Sequence, residues 1–494
     1  MTTTGIEHEI VIVGAGFSGI GVAIELRKAG FDDFLIIDEA DGVGGTWHWN
    51  TYPGVAVDIP SFSYQFSFEQ RTDWSRVYAP GRELKAYAES CVDKYELRER
   101  IRFGTTVTGA DFDEEADRWV LHTADGSDLT ARFVISATGV LTRPKLPDIP
   151  GIESFAGTVM HTSRWDHRQD LRGKRVAIIG TGASAVQVIP EIASQVEHLT
   201  VFQRTPIWCL PRPDLPLPLA ARLALKVPGG RTLTRLVSQT YVEFTFPLAA
   251  HYHSSLPTAA IGERAGLAHL RRQVKDPAVR AALTPKYALG CKRPSFSNDY
   301  LSTFNRSNVT LETDPISEIT ATGVRTAEGT EHPADVLILA TGFKVMESGN
   351  MPTYDLRGVD GRDLETWWDK NRLQAYEGVS VPGFPNFFSI IGPYGYNGAS
   401  YFTLIENQTR HILRCLHHAR THDADRIEVS EEANDRFFRE MLARRGGQVF
   451  WDESCATANS YYFDKHGDVP LRPSSTVEAA WRSTHFPLTD YVFT

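Results

Sequence analysis

The chain has few cysteines, and their spacing excludes several classes of protein. The five cysteines among 494 residues are Cys91, Cys209, Cys291, Cys415 and Cys455. No two of them have a CxxC or zinc-knuckle spacing, so the sequence predicts neither a disulfide framework nor a metal site. Reduced thiols, as in the cytoplasm, are the resulting expectation.

Long apolar runs and an excess of basic residues are also missing. No uncharged apolar stretch reaches the roughly 18–20 residues that a membrane helix needs. The stretch from Leu215 to Pro247 is apolar in patches but is interrupted by charges and prolines, which favours an internal helical segment over one that touches a membrane surface. The net charge of −10 argues against a nucleic-acid binder. The N-terminus lacks the apolar region of a signal peptide, which predicts a cytoplasmic protein.

The chain does contain two glycine-rich dinucleotide fingerprints. In the first, an apolar strand runs into Gly14-x-Gly16-x-x-Gly19, an amphipathic helix follows, and a second apolar strand ends at an acid. The glycines let backbone N–H groups approach a pyrophosphate at the helix N-terminus. Asp38 is best placed to accept hydrogen bonds from ribose hydroxyls, and Glu39 is a close rival. This unit suits FAD or NAD.

The second fingerprint has Gly180 and Gly182, with alanine in the third place. Arg204 follows Gly180 at the same separation at which the acid follows the first glycine of the first unit. A cation at that position can pair with a 2′-phosphate, whereas an acid would repel it. The second unit therefore predicts NADPH, and Thr205 can add a hydroxyl.

Two later strands end alike, at Ala137-Thr138-Gly139 and at Ala340-Thr341-Gly342, as strands would that lead from an inserted unit back into a parent domain. We expect an α/β fold of two Rossmann-like domains, with the NADPH domain inserted into the FAD domain and itself carrying a helical insertion. The expected parts are 1–147 (FAD domain), 151–211 (NADPH domain), 212–288 (helical insertion), 289–343 (NADPH domain, continued) and 344–494 (FAD domain, continued, with the substrate-pocket and C-terminal loops).

An FAD site and an NADPH site together leave several chemistries open. Disulfide reductases of this architecture need a redox cysteine pair after the first unit, but Cys91 stands alone there. The remaining chemistry is hydride transfer from NADPH to the flavin, which then passes electrons to another acceptor, O₂ above all.

Two further stretches carry a resemblance to a known family. FAGTVMHTSRWD provides Phe155, Gly157, His161, Trp165 and Asp166 in the pattern FxGxxxHxxxW(P/D), and GGTWHWNTYPGVAVD matches GGxWxxxxYPGxxxD. Both resemble the type I Baeyer–Villiger monooxygenases, and the likeness extends over nearly the whole chain. The related flavin monooxygenases that oxidise nitrogen and sulfur centres have an aromatic residue other than tryptophan in the penultimate place of the first pattern.

The resemblance implies an enzyme that uses tightly bound FAD, NADPH and O₂ to convert ketones into esters or lactones through a C4a-peroxyflavin. It also implies that Arg293 lies at the reactive edge of the flavin, that Asp58 lies beside it, and that Lys292 helps Arg204 to hold the 2′-phosphate. A fixed guanidinium suits this chemistry, because it stabilises an anionic peroxide and then the oxyanion of the adduct without losing a proton.

Other site residues are implied by the same resemblance. The positions that line the flavin in relatives are matched by Ser18, Gly45, Thr46, Trp47, Trp49 and Tyr64, and those around the nicotinamide nucleotide by Thr181, Ala183, Ser184 and Gln187. The segment IGPYGYNGASYF corresponds to the loop that shapes the substrate pocket. Tyr461 stands where relatives have a tryptophan in a mobile C-terminal loop.

Alternatives stay open at this point. A heteroatom monooxygenase acting on sulfides or amines would have less use for Arg293, and an NADPH-consuming oxidase or a flavin-carrying binding module would give no oxygenated product. His161 lies between the two nucleotide units, which favours a role in coupling domain movement to NADPH binding over local packing or acid–base work.

Overall fold

The computed structural model describes residues 5–256, 258–347 and 349–494. The strands in chain order are β1 (His8–Val13), β2 (Phe34–Ile37), β3 (Ile101–Arg102), β4 (Val107–Asp113), β5 (Arg118–Thr123), β6 (Asp128–Ser136), β7 (Thr158–His161), β8 (Arg175–Ile179), β9 (His198–Phe202), β10 (Cys209–Leu210), β11 (Ser295–Phe296), β12 (Val309–Glu312), β13 (Ile316–Thr320), β14 (Gly323–Thr326), β15 (Glu331–Pro333), β16 (Val336–Leu339), β17 (Asp355–Arg357), β18 (Phe387–Ser389), β19 (Ile427–Val429) and β20 (Tyr491–Phe493).

The helices are α1 (Phe17–Lys28), α2 (Thr46–Trp49), α3 (Gly81–Lys94), α4 (Ala183–Ile192), α5 (Leu219–Lys226), α6 (Gly230–Thr245), α7 (Pro247–His251), α8 (Thr258–Gln273), α9 (Pro277–Ala282), α10 (Tyr300–Thr303), α11 (Leu364–Asn371), α12 (Tyr401–His422), α13 (Glu431–Arg444) and α14 (Thr476–His485). Short 3₁₀ turns connect several of them.

The first sheet has the strand order β17-β4-β5-β6-β1-β2-β3, with β18 also paired to β6. Its centre is parallel, because β1 pairs in parallel with both β2 and β6, while β4, β5 and β6 form an antiparallel meander. Helix α1 is apolar on nearly every face, since it lies between this sheet and the long helix α12. A βα turn at the carboxyl end of β1 is the standard place for a dinucleotide in such a sheet.

The second sheet has the order β12-β9-β8-β16-β7 and is parallel throughout. The strands β8, β9 and β16 are almost completely buried, as expected for a parallel sheet with both faces covered. The short strand β7 forms one edge of this sheet. It belongs to the FAGTVMHTSRWD stretch and ends at His161. The expected fold class, a mixed α/β chain with two Rossmann-like parallel cores, is confirmed.

The chain passes between the two sheets twice, and the two passages lie side by side. Pro144 and Phe343 form an antiparallel bridge, Lys145 N donates to Gly342 O at 2.8 Å, and Lys344 N donates to Arg143 O at 3.0 Å. The helices α5 to α9 lie between β10 and β11, which pair in parallel and so bring both ends of this helical segment together.

One prediction from the cysteines is wrong. Cys291 and Cys455 form a disulfide, although 164 positions separate them in the sequence. The other three cysteines, Cys91, Cys209 and Cys415, are free and buried. Sequence spacing carries no information about a pair that only the tertiary fold brings together, which is why the expectation of reduced thiols throughout failed.

Candidate active site

A cavity opens where β1 and β2 end. Gly14 has a positive φ of +117°, and a Cβ there would lie 2.6 Å from the carbonyl oxygen of Ala137, so only glycine fits. A Cβ on Gly19 would lie 1.9 Å from the Gly14 carbonyl oxygen, and this glycine packs beneath the turn. The predicted flavin residues that line the cavity are Gly14, Gly16, Ser18, Asp38, Glu39, Gly45, Thr46, Trp47, Trp49 and Tyr64.

The two acids after β2 differ in how their side chains are used. Asp38 accepts hydrogen bonds from the backbone N–H groups of Ala15 at 2.5 Å and Ala40 at 2.8 Å. Burial raises the pKa of Asp38, and these two amides partly offset that effect. Glu39 also lines the cavity and is exposed to solvent. Asp38 therefore organises the turn itself, and Glu39 has the freer carboxylate.

The strand registers correct the equivalence between the two units. Val13 pairs with Ile37 in the first sheet, and Ile179 pairs with Phe202 in the second. Each glycine turn begins directly after Val13 or Ile179. Glu39 lies two residues after Ile37, and Arg204 lies two residues after Phe202, so Glu39, not Asp38, is the structural counterpart of Arg204. The first unit still has an acid where the second has a cation, but that acid is Glu39, one residue after Asp38.

Polar and aromatic contacts shape one side of the first cavity. Ser18 Oγ and Tyr401 Oη lie 2.9 Å apart, and Trp47 Nε1 donates to the Tyr64 hydroxyl at 3.1 Å. Burial raises the pKa of Tyr401, so its hydroxyl stays protonated. Tyr401 belongs to the segment expected to shape the substrate pocket, and it also lines the first cavity.

The second glycine turn lies at the ends of β8 and β9, before α4. A Cβ on Gly180 would lie 2.4 Å from the Ala340 carbonyl oxygen, whereas a Cβ on Gly182 would meet no heavy atom within 4 Å. Gly182 precedes Ala183, the first residue of α4. The N-terminus of this helix therefore opens onto free space, as an approaching diphosphate requires.

Two cations lie near this turn. Arg204 is exposed, and its charge, together with burial, lowers the pKa of Lys292 to about 8, with burial the larger cause. Among the described residues, neither side chain has a carboxylate partner within 4.0 Å. Two neighbouring cations with no anion between them fit a bound phosphate.

Three other residues predicted for the second site, Thr181, Thr205 and Gln187, have protein partners. The Thr181 hydroxyl donates to the backbone carbonyl of Thr205 at 3.0 Å, and the Thr205 hydroxyl accepts from Asn459 Nδ2 at 2.7 Å. Gln187 accepts from the Tyr52 hydroxyl at 2.9 Å and donates to the Ala56 carbonyl at 3.0 Å. Gln187 thus joins α4 to the GGTWHWNTYPGVAVD segment rather than facing free space.

Tyr52 and Ser184 belong to the same junction. Burial raises the pKa of Tyr52 to about 12, and a hydrogen bond with the Ser184 side chain partly offsets this. A Cβ on Gly54 would lie 2.7 Å from the Gln187 carbonyl oxygen, so the two nucleotide units approach each other here at backbone distance.

Arg293 and Asp58, which are 235 positions apart, meet in the structure. Arg293 Nε donates to Asp58 Oδ2 at 2.6 Å, and the two side chains keep 22% and 33% of their area exposed. Burial alone would raise the pKa of Asp58, but the charge and hydrogen bond of Arg293 outweigh it and hold that pKa below its usual value. Burial would lower the pKa of Arg293, and Asp58 more than reverses this.

Aromatic side chains surround this ion pair. The Phe246 ring centre lies 5.7 Å from the Arg293 guanidinium carbon. Burial raises the pKa of Tyr396 to about 12, and the Arg293 charge partly counteracts this. Tyr461 and Tyr462 also interact electrostatically with Arg293, and their ring centres are 4.7 Å apart. Tyr461 thus lies on the Arg293 side of the C-terminal segment.

The sequence missed Phe246 and Tyr462. Phe246 follows α6 with no pattern around it that indicates a site, whereas Tyr462 is adjacent to the predicted Tyr461. Tyr396 lies in the predicted pocket segment, although the sequence did not single it out.

The FAGTVMHTSRWD stretch, residues 155–166, lies at the junction of the two sheets. His161 ends β7 with 7% of its area exposed, and its Nδ1 accepts from Ser163 N at 3.1 Å. Burial lowers its pKa to about 4, against the effect of the Gly342 backbone. Its ring lies 6.0 Å from that of Phe343, in the returning passage.

The other residues of the FAGTVMHTSRWD stretch pack within the second unit or contact the first unit. Phe155 is buried, and a Cβ on Gly157 would lie 2.3 Å from the Asp335 carbonyl oxygen. Trp165 packs against the core of the second sheet, and Asp166 pairs with Arg168 at 2.9 Å. Arg164, which precedes Trp165 in the chain, places its guanidinium carbon 3.8 Å from the centre of the Trp49 ring, which belongs to the first unit.

Comparison with known proteins places this geometry in a family. Residues 11–221 match the family model described as "Pyridine nucleotide-disulphide oxidoreductase". Over 92% of the chain and 85% of the relative, the sequence is 38% identical to a Baeyer-Villiger monooxygenase of Pseudomonas aeruginosa. It is 37% identical to one of Streptomyces coelicolor, over 98% of the chain and 92% of the relative.

The chain belongs to the Baeyer–Villiger monooxygenase family. Among solved structures, OTEMO in complex with FAD and NADP is similar with a TM-score of 0.89 and 29% identity, over 99% of this chain and all of that one. The chain is therefore a flavoprotein monooxygenase. The lack of a redox cysteine pair after the first glycine turn agrees with this assignment, since Cys91 is free and buried.

Proposed function

We propose that this Baeyer–Villiger monooxygenase uses NADPH and O₂ to insert one oxygen atom into a small ketone and release an ester or lactone. The observation that carries the proposal is the pair of Arg293 and Asp58, held at 2.6 Å within an aromatic wall. OTEMO, the similar solved protein, is described as a complex with FAD and NADP, which supports the same two cofactors here.

The residues fit both groups. For FAD, the glycine turn at Gly14, the acids Asp38 and Glu39, and the hydroxyls of Ser18 and Tyr401 all line one cavity. For NADPH, the open helix start at Gly182 would receive the diphosphate, and Arg204 with Lys292 would hold the 2′-phosphate. When bound, FAD supplies the redox chemistry by which electrons from NADPH reach O₂.

Arg293 provides the electrostatic part of the reaction. Its guanidinium keeps its charge at any working pH, so it can stabilise the negative charge that develops on the carbonyl oxygen of the substrate. Asp58 holds the Nε edge of the guanidinium and thereby fixes the direction of its two remaining N–H edges. The Asp58 carboxylate also offsets the positive charge of Arg293, so that no other anion has to neutralise the guanidinium between turnovers.

The domain division expected from the sequence is part of the proposal. The side-by-side passages at Pro144 and Phe343 and the contact of Gln187 with Tyr52 and Ala56 support a junction between two nucleotide domains. The contacts of His161 with the returning passage and of Arg164 with Trp49 support a coupling role for the fingerprint. The pKa of His161, lowered to about 4, argues against its use as a proton carrier near neutral pH.

No helix among the described residues is long and apolar enough to cross a membrane. We keep the cytoplasm as the proposed location.

The test is product analysis with a matched pair of variants. The purified flavoprotein, supplied with NADPH and O₂, should form esters or lactones from members of a ketone panel, identified by mass spectrometry. Arg293→Ala should keep flavin reduction by NADPH but lower ester formation by about 10²–10³-fold, with partial recovery in Arg293→Lys. Brisk sulfoxidation with no ester from any ketone would instead establish a heteroatom monooxygenase, and peroxide release alone would establish an oxidase.

A further inference from the structure

The helical segment exposes an unusual amount of apolar surface. More than half of the large apolar side chains that are exposed among the described residues fall between positions 215 and 261. They are Leu215, Leu219, Leu223, Val227, Leu233, Leu236, Val237, Tyr241, Phe244 and Ile261. Single exposed apolar residues are ordinary, but a continuous group on neighbouring helices indicates an interaction surface.

Most of these side chains lie on α5, on α6 or in the turn between them, whereas Leu215 precedes α5 and Ile261 lies on α8. On α6, Leu233, Leu236, Val237 and Phe244 recur at helical spacing and are 55–63% exposed. The opposite face of α6 rests on the protein, where the Ser238 hydroxyl donates to Ser63 Oγ at 2.9 Å. The apolar face is therefore directed away from the core that the helix covers.

The exposed charges of α5 and of the turn after it are positive, and the one carboxylate of α6, Glu243, accepts from Thr476 N at 3.0 Å. Between Leu215 and Val242 there is no Asp or Glu, whereas Arg222, Lys226, Arg231 and Arg235 are all present. The whole chain, in contrast, carries a net charge of −10.

The two most accessible of these cations flank the turn between α5 and α6. Lys226 and Arg231 are exposed, and among the described residues neither has a carboxylate within 4.0 Å. Arg231 donates only to the backbone carbonyl of Gln70, at 3.3 Å.

We propose that this lipid-docking surface, made of α5, α6 and the turn between them, binds the face of an anionic lipid bilayer. Exposed leucine, valine and aromatic side chains enter the boundary between headgroups and acyl chains, while Lys226 and Arg231 contact the negative headgroups. The helices lie in the plane of the interface, which is consistent with the finding that no described helix could span a membrane.

A second copy of the chain fits this surface less well. In a two-fold contact the same face of both copies meets, so Lys226 and Arg231 of each copy would face a surface whose exposed charges are also positive. The segment between Leu215 and Val242 offers no carboxylate to neutralise them. An anionic bilayer supplies the missing charge and the apolar phase at once.

The surface is joined to the candidate site by a single helix. Helix α6 ends at Thr245, and the next residue is Phe246, whose ring faces the Arg293 guanidinium at 5.7 Å. When the protein is bound to the bilayer through this surface, the candidate site around Arg293 would therefore lie close to the lipid. The docking proposal itself does not depend on the reaction.

The test is flotation of the purified holoenzyme with vesicles, which requires no catalytic turnover. Vesicles that contain phosphatidylglycerol should bind the protein, phosphatidylcholine vesicles should bind it at least about tenfold more weakly, and added salt should weaken the anionic binding. Leu223→Gln/Leu233→Gln/Val237→Gln and, separately, Lys226→Glu/Arg231→Glu should each lower binding by about tenfold or more.

The matched control changes equally exposed apolar residues elsewhere, as Leu146→Gln/Val492→Gln, and should bind like the wild type. Flavin content and melting temperature show that every variant is folded. Absence of binding to anionic vesicles, or wild-type binding by both surface variants, would overturn the proposal. So would a concentration-dependent dimer, seen by light scattering without vesicle binding, that the triple variant abolishes.

Discussion

The two glycine-rich turns follow the same sequence pattern but have different surroundings. Their first glycines are equally confined, since a Cβ would lie 2.6 Å from a backbone oxygen at Gly14 and 2.4 Å at Gly180. The middle glycines differ, because Gly16 is covered by Gly45 at 3.5 Å from its would-be Cβ, whereas Gly182 meets nothing. A covered turn suits a group that stays bound, and an open turn suits one that must enter and leave in every cycle.

The largest effect should come from exchanging glycine for alanine in the two turns. Gly19→Ala places a Cβ 1.9 Å from the Gly14 carbonyl oxygen, a clash that no side-chain rotation relieves, so we expect loss of bound flavin and of soluble protein. Gly182→Ala, at a φ of −76°, should fold, keep its flavin and raise only the KM for NADPH. Flavin absorbance and melting temperature distinguish them, and equal damage by both changes would contradict the difference in free space between Gly19 and Gly182.

The next effect concerns the cations of the open turn. Arg204→Ala and Lys292→Ala each remove a charge-assisted contact to the 2′-phosphate and should raise the KM for NADPH by about 10–100-fold. NADH, which lacks this phosphate, is the internal control and should be used about as well as before. Steady-state kinetics with both nucleotides checks the prediction, and an equal loss with NADH would remove the phosphate assignment.

A smaller effect should appear in the pH dependence. Burial and the charge of Arg204 lower the pKa of Lys292 to about 8, so in the free enzyme this cation is present below that pH and lost above it. The KM for NADPH should therefore rise several-fold as the pH increases through about 8, while the KM for NADH stays level. Lys292→Arg should flatten the NADPH profile, because arginine does not titrate there. An unchanged profile in that variant would assign the effect to another group.

The smallest effect on the reaction should follow from opening the disulfide, which acts on stability instead. The Cys291–Cys455 bond ties the Lys292–Arg293 segment to the segment that contains Asn459, whose amide reaches Thr205 in the open turn. Cys455→Ser, or a reductant added to the wild type, should lower stability by about 2–5 kcal/mol, seen as a melting temperature several degrees lower. Reductant should leave the melting temperature of Cys455→Ser unchanged. An identical melting curve for the oxidised and reduced wild type would contradict the prediction.

Sequence reasoning succeeded where the chemistry depends on local pattern. A strand, a glycine turn and a helix are neighbours in the chain, so both nucleotide turns could be predicted from spacing alone. The meeting of Arg293 with Asp58 came from the family resemblance instead, because nothing local connects positions so far apart.

The failures have physical reasons in particular residues. Matching Asp38 with Arg204 assumed that both units have the same length up to the end of the second strand, and the registers differ by one residue. The expectation that Gln187 lies at the nucleotide stays a prediction, and its hydrogen bonds with Tyr52 and Ala56 could not be predicted, because they exist only after the two units pack together. The disulfide and Phe246 likewise depend on tertiary placement.

The double passage between the two sheets has a mechanical consequence. A body tied by one strand can swing in any direction, but two hydrogen-bonded strands resist twisting and shear. Because Pro144 is bridged to Phe343 and Lys145 is bonded to Gly342, we expect any relative movement of the two sheets to be restricted to bending about the line of these paired passages. We therefore expect such bending to bring the Gly182 turn back to the same position relative to Arg293, so that exchange of the nucleotide preserves the alignment of the site.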